Sequence, residues 1–151
     1  MLSKEEFYAT ALFIAKERIK NPFKDLPVIG AHCYGYYSKI LPGCEWKGCA
    51  AGITAIGITS DGGIVGCLSM GNRMFIEGNV RNESLRDICE NPNNFAYNRK
   101  FDETKIGPNC RDCKYRIKCK GGCNSMSYTI TKRFHNNPYC FYAIEKKIIK
   151  V

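Results

Sequence analysis

Apolar and polar positions repeat with two different periods along this chain, and the change of period divides it. Over Lys4–Lys20 the apolar side chains Phe7, Ala11, Ile14 and Ala15 fall three or four residues apart, the spacing of one helical face. Ser3 stands just before this run and Glu6 three residues later, the pair that forms a capping box, and Pro22 ends the segment. The spacing predicts an amphipathic helix whose apolar face needs a partner. Residues 21–42 contain Pro22, Pro27, Gly30, Gly35, Ser38 and Pro42 and read as irregular chain.

Beyond residue 52 the pattern becomes that of strands. The β-branched run Ile53-Thr54-Ala55-Ile56-Gly57-Ile58-Thr59 leads through Ser60-Asp61-Gly62-Gly63 into Ile64-Val65-Gly66-Cys67-Leu68, and an Asp-Gly turn between two such runs predicts a hairpin. Asn82 or Ser84 can cap a short helix through Leu85, Ile88 and Cys89. Asn91-Pro92 reads as the cap and first position of another, carrying Phe95. A cysteine-rich loop occupies 110–123, Asn124–Thr131 is a helical stretch, and Asn137-Pro138 is expected to open a last helix with Phe141, Ile144, Ile148 and Ile149 on its apolar side. The expected class is α+β, with little regular structure for its length. Two parts are expected: an arm over residues 1–42 and a compact domain over 43–151.

Composition narrows the picture. With 151 residues, 44% of them apolar and 25% charged, the chain suits one soluble domain with a short arm. No apolar run reaches the length of a membrane span, and Met1-Leu2-Ser3-Lys4-Glu5-Glu6 does not read as a signal peptide. The expected location is therefore the cytoplasm. Ten cysteines in that setting point to metal ligation, because disulfides persist mainly in secreted proteins.

The cysteine spacing carries the chemistry. Cys49 is followed by twelve residues, Gly62, four residues and Cys67; later come Cys110-x2-Cys113-x5-Cys119-x3-Cys123 and, after sixteen residues, Cys140. A Cys-x2-Cys turn brings two sulfurs to one centre, and the Gly62-Gly63 turn returns Cys67 toward Cys49. Lys120-Gly121-Gly122 leaves little bulk beside the sulfurs and frees amides to hydrogen-bond them. Two zinc sites of four thiolates would use the same residues, since both metals accept tetrahedral thiolate. The Cys-x5-Cys-x3-Cys continuation and the hairpin glycine weigh toward iron–sulfur clusters. Cys33 and Cys89 stand outside the pattern, Cys89 as a small buried apolar residue and Cys33 as a plain thiol before it is an alternative fourth ligand. His32 and His135 are isolated and read as surface or packing residues. Tyr34, Tyr36, Tyr37 and Trp46 precede Cys49, either lining a substrate groove or packing around a cluster. No phosphate-binding loop, Ser-His-Asp arrangement or paired-carboxylate site stands out.

This pattern resembles the SPASM motif, the C-terminal auxiliary-cluster domain of radical S-adenosylmethionine enzymes that modify peptides and proteins. The resemblance extends from Cys49 to Cys140, and the stretches Gly48-Cys49-Ala50-Ala51-Gly52, Ile58-Thr59-Ser60-Asp61-Gly62 and Cys67-Leu68-Ser69-Met70 share it. It implies two 4Fe–4S clusters with interleaved ligands: Cys49, Cys67 and Cys123 on the first, with Cys44 in fourth place, and Cys110, Cys113, Cys119 and Cys140 on the second. It also implies electron relay or substrate-peptide positioning, with a radical S-adenosylmethionine domain or protein and a substrate peptide or protein as partners.

One departure from the family is plain. The sequence lacks the Cys-x3-Cys-x2-Cys triplet that builds an open-iron site, so no S-adenosylmethionine site and no catalysis by the chain alone are expected. The first helix is then the end of a missing barrel or a docking segment. The formal charge of +9 invites a nucleic-acid partner. A 4Fe–4S core with four thiolates carries about −2, so two clusters would lower the balance to roughly +5. Nucleic acid is accordingly not expected. A metal-stapled module binding an acidic peptide or protein is the alternative, and behind it stands a zinc-based nucleic-acid binder.

Overall fold

The computed structural model describes residues 1–20, Ser38, Ile40, Trp46 and 48–148. Helix α1 spans Lys4–Lys20, as its periodicity predicts. The capping box is formed in both directions: the Glu6 amide donates to Ser3 Oγ at 3.1 Å and the Ser3 amide donates to Glu6 Oε2 at 2.8 Å. Its buried face is Phe7, Tyr8 and Ala11, with Ala15 packed at the edge.

The predicted hairpin exists but is shorter than its β-branched run. Strands β1 (Gly57–Ile58) and β2 (Gly63–Val65) pair antiparallel in the register Gly57↔Val65, and a third strand, β3 (Gly78–Asn79), adds antiparallel to β2. Residues 53–55 are not strand, because the Ala50 carbonyl accepts from the amides of Ile53, Thr54 and Ala55 and winds them into a turn. Their side chains and those of Ile56 and Ile58 face solvent. Across the hairpin turn the Thr59 hydroxyl donates to Asp61 Oδ1 at 2.5 Å, which with the Gly63 amide holds that carboxyl below the usual range.

Helix α2 (Leu85–Glu90) is capped by Ser84, whose Oγ accepts from the Asp87 amide at 3.1 Å. Helix α3 is Ala96–Arg99 and begins later than Asn91-Pro92 proposes. There the Asn91 Oδ1 accepts from the Asn93 amide, an Asx turn that occupies the cap, and Phe95 lies in the left-handed region at φ 56°. Helix α4 (Arg116–Cys119) falls inside the cysteine loop, α5 is Asn124–Thr131 as expected, and α6 is Phe141–Ile148. Asn137-Pro138 does not open α6, and Ile148, expected on its apolar side, is 60% exposed. Ile149 lies outside the described residues.

Two apolar clusters result. The larger joins α1 to α6, with Phe7 and Phe141 ring centroids 5.2 Å apart, and includes Trp46 and Cys123. Cys49, Cys113, Cys119 and Cys140 pack against it. Inside this interface the buried Glu145 carboxylate accepts from the Tyr8 hydroxyl at 2.8 Å and from the Ser38 hydroxyl. The smaller cluster is Ile64, Ile88 and Phe95 under the sheet, with Tyr97 against it. No helix among the described residues is long and apolar enough to cross a membrane. The architecture is a small α+β fold: one three-stranded sheet, short helices and cysteine-bearing loops.

Candidate metal centre

Cys49 lies on the turn leading into β1, and Cys67 follows β2, so the hairpin carries both. Cys123 is the N-cap residue of α5 and is buried. Burial raises the Cys49 thiol; the amides of Asn124 and Ala51 oppose that shift, and the Cys123 and Cys67 thiolates add to it. These three sulfurs therefore lie in one electrostatic neighbourhood, although 73 residues stand between Cys49 and Cys123.

Cys110, Cys113, Cys119 and Cys140 form a second neighbourhood. Burial pushes Cys110 and Cys119 up to about 12, and Cys140 in the same direction. The leading thiol neighbours of these three all come from within this set. The Gly122 amide opposes the rise at Cys119. The Ala143 and Tyr142 amides, at the start of α6, do so at Cys140. All four side chains line one cavity of about 230 Å³, with Asn137, Gly121 and Gly122 in its wall and Arg116, Lys146 and Lys147 at its rim.

Among the described residues no three His, Cys, Asp or Glu side chains are placed to hold one metal ion. Cys89, half-buried on α2, stands apart from both groups, and its carbonyl accepts from Arg99 Nη1 at 2.8 Å. Cys44 and Cys33, with Tyr34, Tyr36, Tyr37 and His32, lie outside the described residues.

Asparagines that spacing does not mark hold the first neighbourhood in place. The buried Asn98 Nδ2 donates to the carbonyls of Cys49 at 2.8 Å and Ala51 at 2.7 Å, and its Oδ1 accepts from Asn124 Nδ2 at 3.0 Å. Asn124 Oδ1 in turn accepts from the His135 amide at 3.3 Å. His135 is a packing residue: 1% exposed, with Nδ1 2.8 Å from the Lys120 carbonyl and Nε2 2.7 Å from that of Tyr97. Gly121 makes this approach feasible, since at φ 73° a Cβ there would overlap the His135 backbone. The one available signal for these residues is adjacency, as Asn124 follows Cys123 and Asn137 precedes Cys140 by three.

Thiols gathered into two neighbourhoods, from segments far apart in sequence, are the arrangement that a cysteine-ligated metal site needs. Comparison points to a family: residues 49–114 match the SPASM iron–sulfur cluster-binding domain. The matched span contains Cys49, Cys67, Cys110 and Cys113, while Cys119, Cys123 and Cys140 follow it. The chain is also similar to an AdoMet-dependent heme synthase of Methanosarcina barkeri (strain Fusaro / DSM 804), with 32% identity over 102 residues. That alignment covers 67% of this chain and 28% of the relative, so the chain spans a little over a quarter of the protein it matches.

Proposed function

We propose that this chain is an auxiliary-cluster domain holding two 4Fe–4S clusters and working with a radical S-adenosylmethionine catalytic domain or protein. Cys49, Cys67 and Cys123, with Cys44 in fourth place, hold the first cluster; Cys110, Cys113, Cys119 and Cys140 hold the second. The carrying observation is the division of the thiols into two electrostatic neighbourhoods, the second lining one cavity. That division follows no chain order, because Cys123 falls with the hairpin and Cys119 with α6.

Such clusters supply one-electron transfer when bound. The chain's own residues bury the thiols in part, present amides to Cys49, Cys119 and Cys140, and line the second cavity with three cations, Arg116, Lys146 and Lys147, against one carboxylate, Asp112, a balance that would offset an anionic cluster. The reading assigns electron relay, positioning of a substrate peptide or protein, or both, in the cytoplasm. The similarity to an AdoMet-dependent enzyme supports the partner class.

Iron and acid-labile sulfide in anaerobically prepared protein test the proposal. The expected content is about eight of each per chain, with broad visible absorption that bleaches on reduction. Stoichiometric zinc in protein made with ample iron and sulfide would overturn it.

A further inference from the structure

Each thiol neighbourhood carries one buried hydrogen-bond donor for which the described residues offer no acceptor. At the second it is Asn137 Nδ2, on a residue 3% exposed that lines the cavity. The other polar groups of Asn137 are engaged. Its Oδ1 accepts from the Tyr139 amide at 2.9 Å, its own amide donates to the Gly121 carbonyl at 3.0 Å, and its carbonyl lies 3.8 Å from Cys110 Sγ. A flipped side chain would set its NH2 against the Tyr139 N–H, so the amide orientation is fixed. Asn137 lines the cavity, and no acceptor among the described residues is left for Nδ2.

At the first neighbourhood the orphan is the Tyr97 hydroxyl, buried and without an acceptor. Burial, then the Cys49 thiolate, Glu77 and the Cys67 thiolate, all push its phenol up. Gly66, next to Cys67, makes room for it: a Cβ on Gly66 would overlap Tyr97 Oη. The ring is held from behind by Phe134, stacked at 4.6 Å with an interplanar angle of 18°. A buried donor without an acceptor is rare in folded proteins, and two of them beside two groups of thiols require an explanation.

We infer that Tyr97 Oη–H and Asn137 Nδ2–H each donate a hydrogen bond to sulfur of the adjacent bound cluster and set its reduction potential. Tyr97 serves the cluster of Cys49, Cys67 and Cys123; Asn137 serves that of Cys110, Cys113, Cys119 and Cys140. A donor aimed at sulfur stabilises the charge added on reduction, so each residue raises the potential of its own cluster. Both are positioning residues, and the inference rests on the two-cluster reading above.

The test is a redox titration followed by paramagnetic resonance on wild type, Tyr97→Phe and Asn137→Ala. The expected pattern is reciprocal: Tyr97→Phe lowers the potential of the first cluster alone, and Asn137→Ala lowers that of the second alone. A purely structural role would remove iron without that selective shift. Should Asn137→Ala shed its cluster, wild type labelled with 15N in the asparagine side chains gives a second readout. The reduced second cluster should then show hyperfine coupling to one such nitrogen, and its absence would overturn the asparagine assignment. Two intact clusters with unchanged potentials in both variants would overturn this inference alone. Wild type holding no iron–sulfur cluster would overturn it together with the reading on which it rests.

Discussion

Asn98, Asn124 and Asn137 are buried, and each does a separate task beside a cysteine. None was legible in the sequence, because a pattern of polar and apolar positions assigns asparagine to turns and surfaces. The cysteines were legible for the opposite reason. Their spacing reflects a geometric demand that few other sequences meet, whereas an asparagine that satisfies two carbonyls answers to a tertiary arrangement. The thiols also fix how the sites respond to acid. Burial raises Cys49 and Cys140, and Cys110 and Cys119 to about 12, yet a metal binds thiolates. Each thiol must release a proton on loading, and below those pKa values protons compete with metal. Affinity then falls by about tenfold per pH unit for each thiol still protonated in the metal-free form. A chelator should strip iron faster at about pH 6 than at about pH 8, followed by loss of visible absorption. A rate that is flat or rises with pH would contradict this.

At the scale of elements, the local signals succeeded where local chemistry decides and failed where long-range contacts do. Helix α1 has the predicted bounds and cap because its periodicity and its capping box lie within one segment. Helix α5 likewise follows its own sequence. Helix α6 starts at Phe141 instead of at Pro138, because the Asn137 amide donates to the Gly121 carbonyl and its side chain accepts from the Tyr139 amide, an Asx turn that ties that stretch to the cysteine loop. Strand β3 was unforeseen: two residues, Gly78 and Asn79, show no alternation to read, and they join the sheet through pairing with β2. The joining of α1 to α6 gives an element-scale prediction. Phe7 is 5% exposed and packs on Phe141 and Tyr139, each with ring centroids 5.2 Å away. Phe7→Ala should destabilise the loaded protein by about 3 kcal/mol, the usual loss for truncating a core phenylalanine. Denaturant unfolding would measure it, and a change under about 0.5 kcal/mol would show that α1 is not part of this core.

At the scale of the whole molecule, regular structure among the described residues is sparse: α1 aside, the α-helices have four to eight residues and the strands two or three. Long-range order there comes from the two apolar clusters and the asparagine bonds, and on the proposed ligand set also from metal groups that would tie hairpin, loop and α6 together. Interleaving is what lets two metal groups staple three segments, and it is the central claim. Replacing Cys113 and Cys140 together by alanine leaves the second cluster two thiolates, too few to hold it firmly. About half of the iron should remain, on the first cluster. The deciding measurement is iron content, with reduced-state paramagnetic resonance, after a third alanine is added to that pair. The account predicts that Cys123→Ala releases the remaining iron while Cys119→Ala leaves it in place. Loss on adding Cys119→Ala, with retention on adding Cys123→Ala, would contradict it.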